Sequence, residues 1–265
     1  MAEIHPSAIV SSEAKLGEGV VISPFAIVHG NVEIGDGTFV GPGVNIYDGA
    51  RIGRNVKIYQ NASIAHRPQD LKFANEETYL YIGDETVVHE FVTLHRGTKE
   101  TGKTTIGSNV LLMAYSHVAH DCFIGNRCIL ANGVQIAGHV HIDDWTIIGG
   151  LTPVHQFCKV GKHVMIGGGF RAVQDVPPFI LAAEEPLKYE GINIVGLRRR
   201  GFSAKDIEDI KKMYALIYDP HNNVSQAVEL IKKMYPGNPN AELITDFIAS
   251  STRGLIGKKT GREKR

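Results

Sequence analysis

Cysteine is scarce in this chain of 265 residues: there are three, an odd number, which argues against a disulfide framework. Excess charge of either sign is also missing. The 28 Lys and Arg balance 28 Asp and Glu, and the pI is near 7.2, so bulk electrostatics gives nucleic acid no hold. Any charged partner has to be met by a local patch. No apolar run is long enough to span a bilayer. The opening MAEIHPSAIV has neither a basic n-region nor an apolar h-region. These absences predict a soluble cytoplasmic protein, and the length permits one large domain or one plus a small appendage.

What the chain does have is a period. Counting by sixes from Ile4 to Ile166 gives 28 positions, of which 25 hold Ile, Leu or Val; the other three are Asp70, Glu76 and Glu100. The residue two places earlier is small throughout, with Pro68 and Leu80 the only departures from Ala, Val, Thr, Ser or Cys. Positions i and i−2 of a strand face the same way. Each unit therefore offers one bulky and one small side chain to a common interior. Gly repeatedly follows the aliphatic residue, as at Gly17, Gly35, Gly53, Gly107 and Gly125, which predicts corners that need permissive backbone. Three units close a triangular coil of 18 residues, and such coils stack at the sheet spacing of roughly 4.8 Å. The expected class is mainly β, a parallel β-helix of hexapeptide repeats. Cys122, Cys128 and Cys158 all fall in the small register, where free cysteine packs as a small hydrophobe, and they read as inward fillers rather than catalytic thiols.

The register breaks near residues 66–80 and 97–104 and resumes in phase each time. In-phase breaks read as loops thrown out from a coiled scaffold, common carriers of function. The first loop contains Asp70 and Lys72, which fit either a site or a solvated charge pair. The second contains GTKETGKT, from Gly97 to Thr104, a literal match to the phosphate-binding pattern. That motif needs a helix opening at its Lys-Thr so that amides face the phosphates. The chain instead runs on as TTIGSNVLLMA, the next hexads, so no phosphate site is expected.

Beyond residue 185 the periodicity becomes helical. Ser203 with Asp206 reads as a capping box ahead of Ile207, Ile210, Tyr214, Ile217 and Tyr218 on one face, with Asp219-Pro220 as the stop. Residues 224–235 and 241–251 give two more short helices. The expected division is repeats over 1–185 and a small C-terminal α-helical domain over 186–265. The latter ends in a basic tail of Lys258, Lys259, Arg262, Lys264 and Arg265, read as solvated or as a contact for an acidic partner.

Six of the 12 histidines, His117, His120, His139, His141, His155 and His163, crowd together, and none is inward. Residues 18 apart stack, so Asp121 lies under His139, and His120 under Gly138 with Gln156 above. A carboxylate, two imidazoles and a glycine amide then share one small surface. Imidazole can take a proton near neutrality, a carboxylate can orient it, and the Gly138 N–H can face a developing oxyanion. Zinc is the rival reading, from His117-x-x-His120 and His139-x-His141. On strands, however, i and i+3 do not share a face.

The strings AHDCFIGNRCILANGVQIAGHV at 119–140, GLTPVHQFCKVGKHVMIGGG at 150–169, QDVPPF at 174–179 and GLRRRGF at 196–202 resemble the acyl-ACP:UDP-N-acetylglucosamine O-acyltransferases of lipid A biosynthesis. The resemblance covers nearly the whole chain, both loops included. It implies a left-handed coil, although parallel crossovers are otherwise right-handed in roughly 98% of cases. It further implies transfer of an (R)-3-hydroxyacyl group from acyl carrier protein to the glucosamine 3-hydroxyl of UDP-N-acetylglucosamine, without metal or bound cofactor, in a homotrimer whose sites lie between subunits.

Matched residue by residue, the resemblance puts the general base at His120, its partner at Asp121 and the oxyanion amide at Gly138. Asp70, Lys72, His95, His117, His139 and His155 fall on the substrate cleft, and Gln156, Asn193, Arg199 and Arg200 on the nucleotide. The acyl-measuring position falls on Gly168, which implies an open groove and a long acyl chain. Val195 departs from the Glu expected near the nucleotide. Three alternatives stay open at this stage: an N-acyltransferase on UDP-3-O-acylglucosamine, a zinc-dependent hexapeptide carbonic anhydrase, and a noncatalytic β-helix scaffold. The N-acyltransferase carries a further domain before its hexads, whereas here the hexads begin at Ile4.

Overall fold

Most hexads lay down a strand of two residues, the aliphatic residue and the one before it, as at Ile27–Val28, Glu33–Ile34 and Phe39–Val40. The computed structural model describes residues 1–258. Lys258 is the one member of the basic tail among them; Lys259, Arg262, Lys264 and Arg265 lie outside the described residues. Strands pair in parallel with the strand three hexads on, so that Val21 faces Phe39, His117 faces Gln135 and Ile129 faces Ile147. Successive strands fall on three faces in turn, giving sheets of 12, 8 and 8 strands. The spacing widens to 30 residues at Lys57 opposite Val87 and to 24 at Thr93 opposite His117. The loops therefore add two hexads and one hexad to their coils, and this is why phase survives both.

The interior is what the double register predicts. Ile46, Ile58, Ile64, Leu112, Ile124 and Ile136 are completely buried, with Val20, Ala26, Val44 and Val134 from the small register between them. Small polar residues in that register satisfy themselves on the coil above. Thr38, Thr86 and Thr146 donate to the carbonyls of Gly53, Gly107 and Gly161 at 2.9, 2.8 and 2.7 Å. The Cys122 and Cys128 thiols do likewise to Ala137 and Asp143, both at 3.1 Å. Burial pushes these two thiols up to about 12, so neither supplies a thiolate nucleophile near neutrality.

The corners differ from expectation. Gly35 and Gly107, each directly after an aliphatic residue, do not adopt left-handed backbone; a Cβ on either would stand 2.7 Å from the backbone of Gly53 or Gly125 one coil above. Close stacking of coils is what demands glycine there. Left-handed backbone falls two residues later, and is often taken without glycine, as at Asn55, Asp121, Trp145 and His163 with φ of 54°, 60°, 63° and 60°.

Past the hexads the sheet runs on across residue 185. Ile180–Ala183 adds to Met165–Ile166 in parallel, then pairs antiparallel with Lys188–Ile192. Leu187 and Ile192 bury themselves without a sixfold register, so the continuation leaves no periodic trace. Four helices follow, α1 (Ile194–Arg199), α2 (Ala204–Ile217), α3 (Val224–Met234) and α4 (Pro239–Ser250), and the strand Gly257–Lys258 then joins Lys188–Ile192 in parallel. The Ser203–Asp206 capping box of α2 is present. The six residues of α1 are an addition to the sequence reading, since so short a helix carries no readable period. Tyr214 of α2, fully buried, fastens the helices to the coil by donating to the Pro178 carbonyl at 2.6 Å.

Candidate active site

Asp121 takes the left-handed corner position three residues after Val118, and His139 takes the same position one coil above, with φ of 60° and 61°. Asp and His are among the non-glycine residues that tolerate this backbone best. The His139 N–H donates to the His120 carbonyl at 3.1 Å, which locks the two corners together.

The second loop closes over Asp121. Its carboxylate accepts from the Thr98 N–H at 3.0 Å, from the Thr98 hydroxyl at 2.8 Å and from the Thr101 hydroxyl, while its own N–H donates to Thr104 Oγ1 at 2.8 Å. Burial raises the carboxyl's pKa, but the bonds from His120, Thr101 and Thr98 outweigh it and hold the group well below the ordinary carboxylate range. These threonines belong to the GTKETGKT string. Where a phosphate loop would open a helix, the chain forms the strand Lys103–Ile106, and the loop's task is to hold Asp121.

An ionised carboxylate can only accept. His120 Nδ1, 2.7 Å from Asp121 Oδ2, therefore carries the ring's proton and leaves Nε2 with a free lone pair. The ring lies against Gly138: a Cβ there would stand 2.8 Å from His120 Cε1 and 2.9 Å from Nε2. The buried Gly138 N–H finds no acceptor among the described residues. His139 crosses His120 edge-on at 5.1 Å and stacks on Phe157 at 4.7 Å. Its Nε2 stands 3.6 Å from Glu100 and 3.8 Å from Asp121. Glu100, one of the three breaks in the register, thus belongs to the site.

The remaining expected residues fall into three groups. Asp70 and Lys72 line a narrow cleft with Glu76, Thr98, Lys99 and Glu100, adjoining the corner at Asp121. His95 and His117 meet edge-on at 4.7 Å on a neighbouring face. His95 is buried, its Nδ1 has no hydrogen-bond partner among the described residues, and burial followed by the neighbouring imidazoles lowers its pKa to about 3. His117 and His155 line an apolar cavity of about 300 Å³ with Gln135, Ala137, Pro153 and Arg171. Gln156 is exposed at the corner one coil above Gly138. Gly168 does not line this cavity and is exposed against Gly150, whereas Arg171, ion-paired to Glu185 at 3.0 Å, is among its lining residues.

The third group lies on another sheet. Asn193, Val195 and Arg199 border a cavity of about 430 Å³ with Met165, Ile192 and Gly196. Arg200 is not among its lining residues; it turns to His163 Nδ1 at 3.3 Å and lies over Trp145 at 5.3 Å. The sheet holding Met165–Ile166 contains neither His117–Val118 nor Phe123–Ile124, the strands flanking His120 and Asp121.

For a cation, His120, Asp121 and His139 offer atoms within 4.8 Å of one another. The carboxylate is already taken up by Thr98, Thr101 and His120, which leaves a poor donor set. The pairs suggested by spacing are drawn apart: His117 Nδ1 lies 2.7 Å from Thr93 Oγ1, and His141 Nε2 lies 2.9 Å from Asp143 Oδ1.

Residues 175–256 match the family model described as UDP N-acetylglucosamine O-acyltransferase, domain 2, and residues 13–47, 31–66 and 103–138 match the bacterial transferase hexapeptide model of six repeats. The acyl-[acyl-carrier-protein]–UDP-N-acetylglucosamine O-acyltransferase of Thiobacillus denitrificans is 44% identical over 97% of this chain and 100% of that protein. The chain belongs to the UDP-N-acetylglucosamine O-acyltransferase family. Among solved structures, LpxA of Acinetobacter baumannii superposes with a TM-score of 0.93 at 41% identity, covering 96% of this chain and 99% of that one. The UDP-N-acetylglucosamine acyltransferase of Bacteroides fragilis gives 0.92 at 46%, covering 95% and 99%. The coil accordingly has the left hand of this family, and the hexapeptide carbonic anhydrase and bare scaffold readings give way. Thr98, Thr101 and Arg171, which sequence alone did not single out, and Glu100, visible there only as a register failure, stand beside the expected site residues. The only signal available for the two threonines was the in-phase loop itself.

Proposed function

We propose that this chain transfers an (R)-3-hydroxyacyl group from acyl carrier protein to the 3-hydroxyl of UDP-N-acetylglucosamine, the first step toward lipid A, with His120 as general base. The observation that carries the reading is the His120 tautomer: Asp121 fixes the proton on Nδ1, leaving Nε2 free beside a Gly138 N–H that has no other acceptor.

Nε2 takes the proton of the sugar 3-hydroxyl as its oxygen attacks the thioester carbonyl. The charge that forms on the carbonyl oxygen is met by the Gly138 N–H. Collapse of the tetrahedral intermediate breaks the carbon–sulfur bond, and the imidazolium returns its proton to the leaving pantetheine thiolate. Asp121 stabilises the imidazolium while staying ionised.

The apolar cavity bordered by His117, Pro153 and Arg171 takes the acyl chain, and the cavity beside α1 takes the nucleotide. The nucleotide cavity lies on a different sheet from the two that meet at His120, whereas the acyl cavity shares the sheet of His117–Val118. A homotrimer with each site between two subunits accounts for that separation, and it explains why so many imidazoles face outward from the prism. No described helix is long and apolar enough to cross a membrane, and the reading places the reaction in the cytoplasm, where acyl carrier protein is the donor.

The test is to supply purified protein with (R)-3-hydroxyacyl-ACP and UDP-N-acetylglucosamine, and to follow the freed carrier thiol together with the O-acylated nucleotide. Thiol release that does not depend on the sugar nucleotide would overturn the reading.

A further inference from the structure

A second corner of the prism carries a stack that lies away from His120 and Asp121. Arg127, Trp145, His163 and Phe179 all take left-handed backbone, with φ of 55°, 63°, 60° and 70°. The Arg127 guanidinium lies 4.8 Å over the Trp145 ring, Trp145 and His163 are 6.3 Å apart, and His163 and Phe179 are 5.6 Å apart. Phe202, just past α1, closes edge-on against His163 at 5.1 Å and against Phe179 at 5.8 Å.

His163 is where this column meets α1. Its carbonyl accepts from Asn193 Nδ2 at 2.9 Å; Asn193 is the N-cap of α1, and its Oδ1 accepts from the Gly196 N–H at 3.2 Å. Its imidazole Nδ1 lies 3.3 Å from Nη1 of Arg200, the C-cap of the same helix. A guanidinium only donates, so Nδ1 is the acceptor and the ring is neutral. Burial first, then Arg200 and Lys162, bring the His163 pKa down to about 4 against the pull of Asp144, which keeps the lone pair available at neutral pH. A helix of six residues has no stability of its own in water. One coil residue thus grips both ends of it.

We infer that His163 is a positioning residue for the sugar nucleotide: by fastening α1 at both caps, it sets where Asn193, Val195 and Arg199 stand along their cavity. This rests on the assignment of that cavity to the nucleotide. Arg200 acts through the same contact, as part of the clamp. Trp145 lies within the cluster and is the chain's single tryptophan, so its emission reports on the clamp directly.

Two substitutions separate the ring from its acceptor. His163→Phe keeps an aromatic in the stack, of a type that already fills left-handed corners at Phe25, Phe91 and Phe157, but it removes the acceptor for Arg200. His163→Asn discards the ring, keeps an acceptor near the position of Nδ1 and suits the left-handed backbone. In His163→Phe, the KM for UDP-N-acetylglucosamine is expected to rise about tenfold, as for loss of a hydrogen bond to a charged group. The kcat, the KM for acyl-ACP and the thermal midpoint stay near wild type, and His163→Asn recovers most of the nucleotide KM. Titration of UDP-N-acetylglucosamine followed by Trp145 emission gives the same loss of affinity and the same recovery.

Arg199→Ala tests the underlying assignment separately. A raised nucleotide KM in Arg199→Ala with an unchanged one in His163→Phe overturns the clamp while the nucleotide assignment stands. An unchanged KM in Arg199→Ala removes the assignment, and the role of His163 with it. Equal rises in both substrates' KM values in His163→Phe also overturn the proposal, because general damage would then be the cause.

Discussion

Asp121 Oδ2 lies 2.7 Å from His120 Nδ1 and thereby decides which nitrogen of that ring is free to take a proton. The carboxylate is held in turn by Thr98 and Thr101, so the second loop reaches the His120 ring through Asp121. Asp121→Asn keeps the shape and removes the charge. Its kcat is expected to fall roughly 10²-fold, since an imidazolium would form without its counter-ion.

The same substitution has a signature in stability. The Asp121 pKa is held below its ordinary value of 3.8 in the folded chain, so the unfolded chain binds the proton first as pH falls. Its stabilisation is complete above about pH 4 and is lost as pH drops through the folded value. Thermal midpoints of wild type and Asp121→Asn should therefore differ most near neutrality, begin to approach each other below about pH 4 and meet only as pH passes the folded value.

Gly138→Ala probes the other side of the imidazole. The added Cβ would stand 2.8 Å from His120 Cε1, too close for the ring to remain where it is. The imidazole must swing off Nε2's line to the substrate, and kcat is expected to drop about 10²-fold, because small misplacements of a reacting group cost that much. Gly138 is outside the left-handed backbone region, so the thermal midpoint should change little.

The fold was largely legible because a side of the prism is six residues, and inward positions tolerate almost nothing but aliphatic and small residues. The stacking of Asp121 with His139 and of His120 with Gly138 follows from the 18-residue coil and is found as expected. The loops were legible only as breaks. Nothing in GTKETGKT indicates that Thr98 and Thr101 would fold back onto Asp121, because loop conformation has no period to read. Asp70, Glu76 and Glu100, which fail the register, all border the cleft beside the site. Three-residue offsets are harder still. Gly168 and Arg171 lie on one connection, and only coordinates tell which of them lines the apolar cavity.

Acyl length should follow Arg171. Removing its side chain in Arg171→Gly enlarges the groove, and occupied volume is what excludes further methylenes. Against a panel of acyl-ACPs, the optimum of Arg171→Gly is expected to move to longer chains than wild type, while Gly168→Leu leaves it in place. A shift caused by Gly168→Leu alone would return the measuring role to Gly168.

Shared sites predict complementation. His120→Ala and Arg199→Ala subunits, each inactive or impaired alone, should regain activity when co-expressed. Random mixing in a trimer gives about a quarter of the interfaces an intact His120 from one subunit and an intact Arg199 from its neighbour. Activity of the mixture no higher than the mean of the two pure variants would show that both residues act within one subunit.

The role of His120 is decided by the turnover of His120→Ala, measured as carrier thiol released from (R)-3-hydroxyacyl-ACP at saturating UDP-N-acetylglucosamine. With His120 as general base, kcat falls by roughly 10²-fold or more while UDP-N-acetylglucosamine still binds. Turnover within a few-fold of wild type would contradict that role.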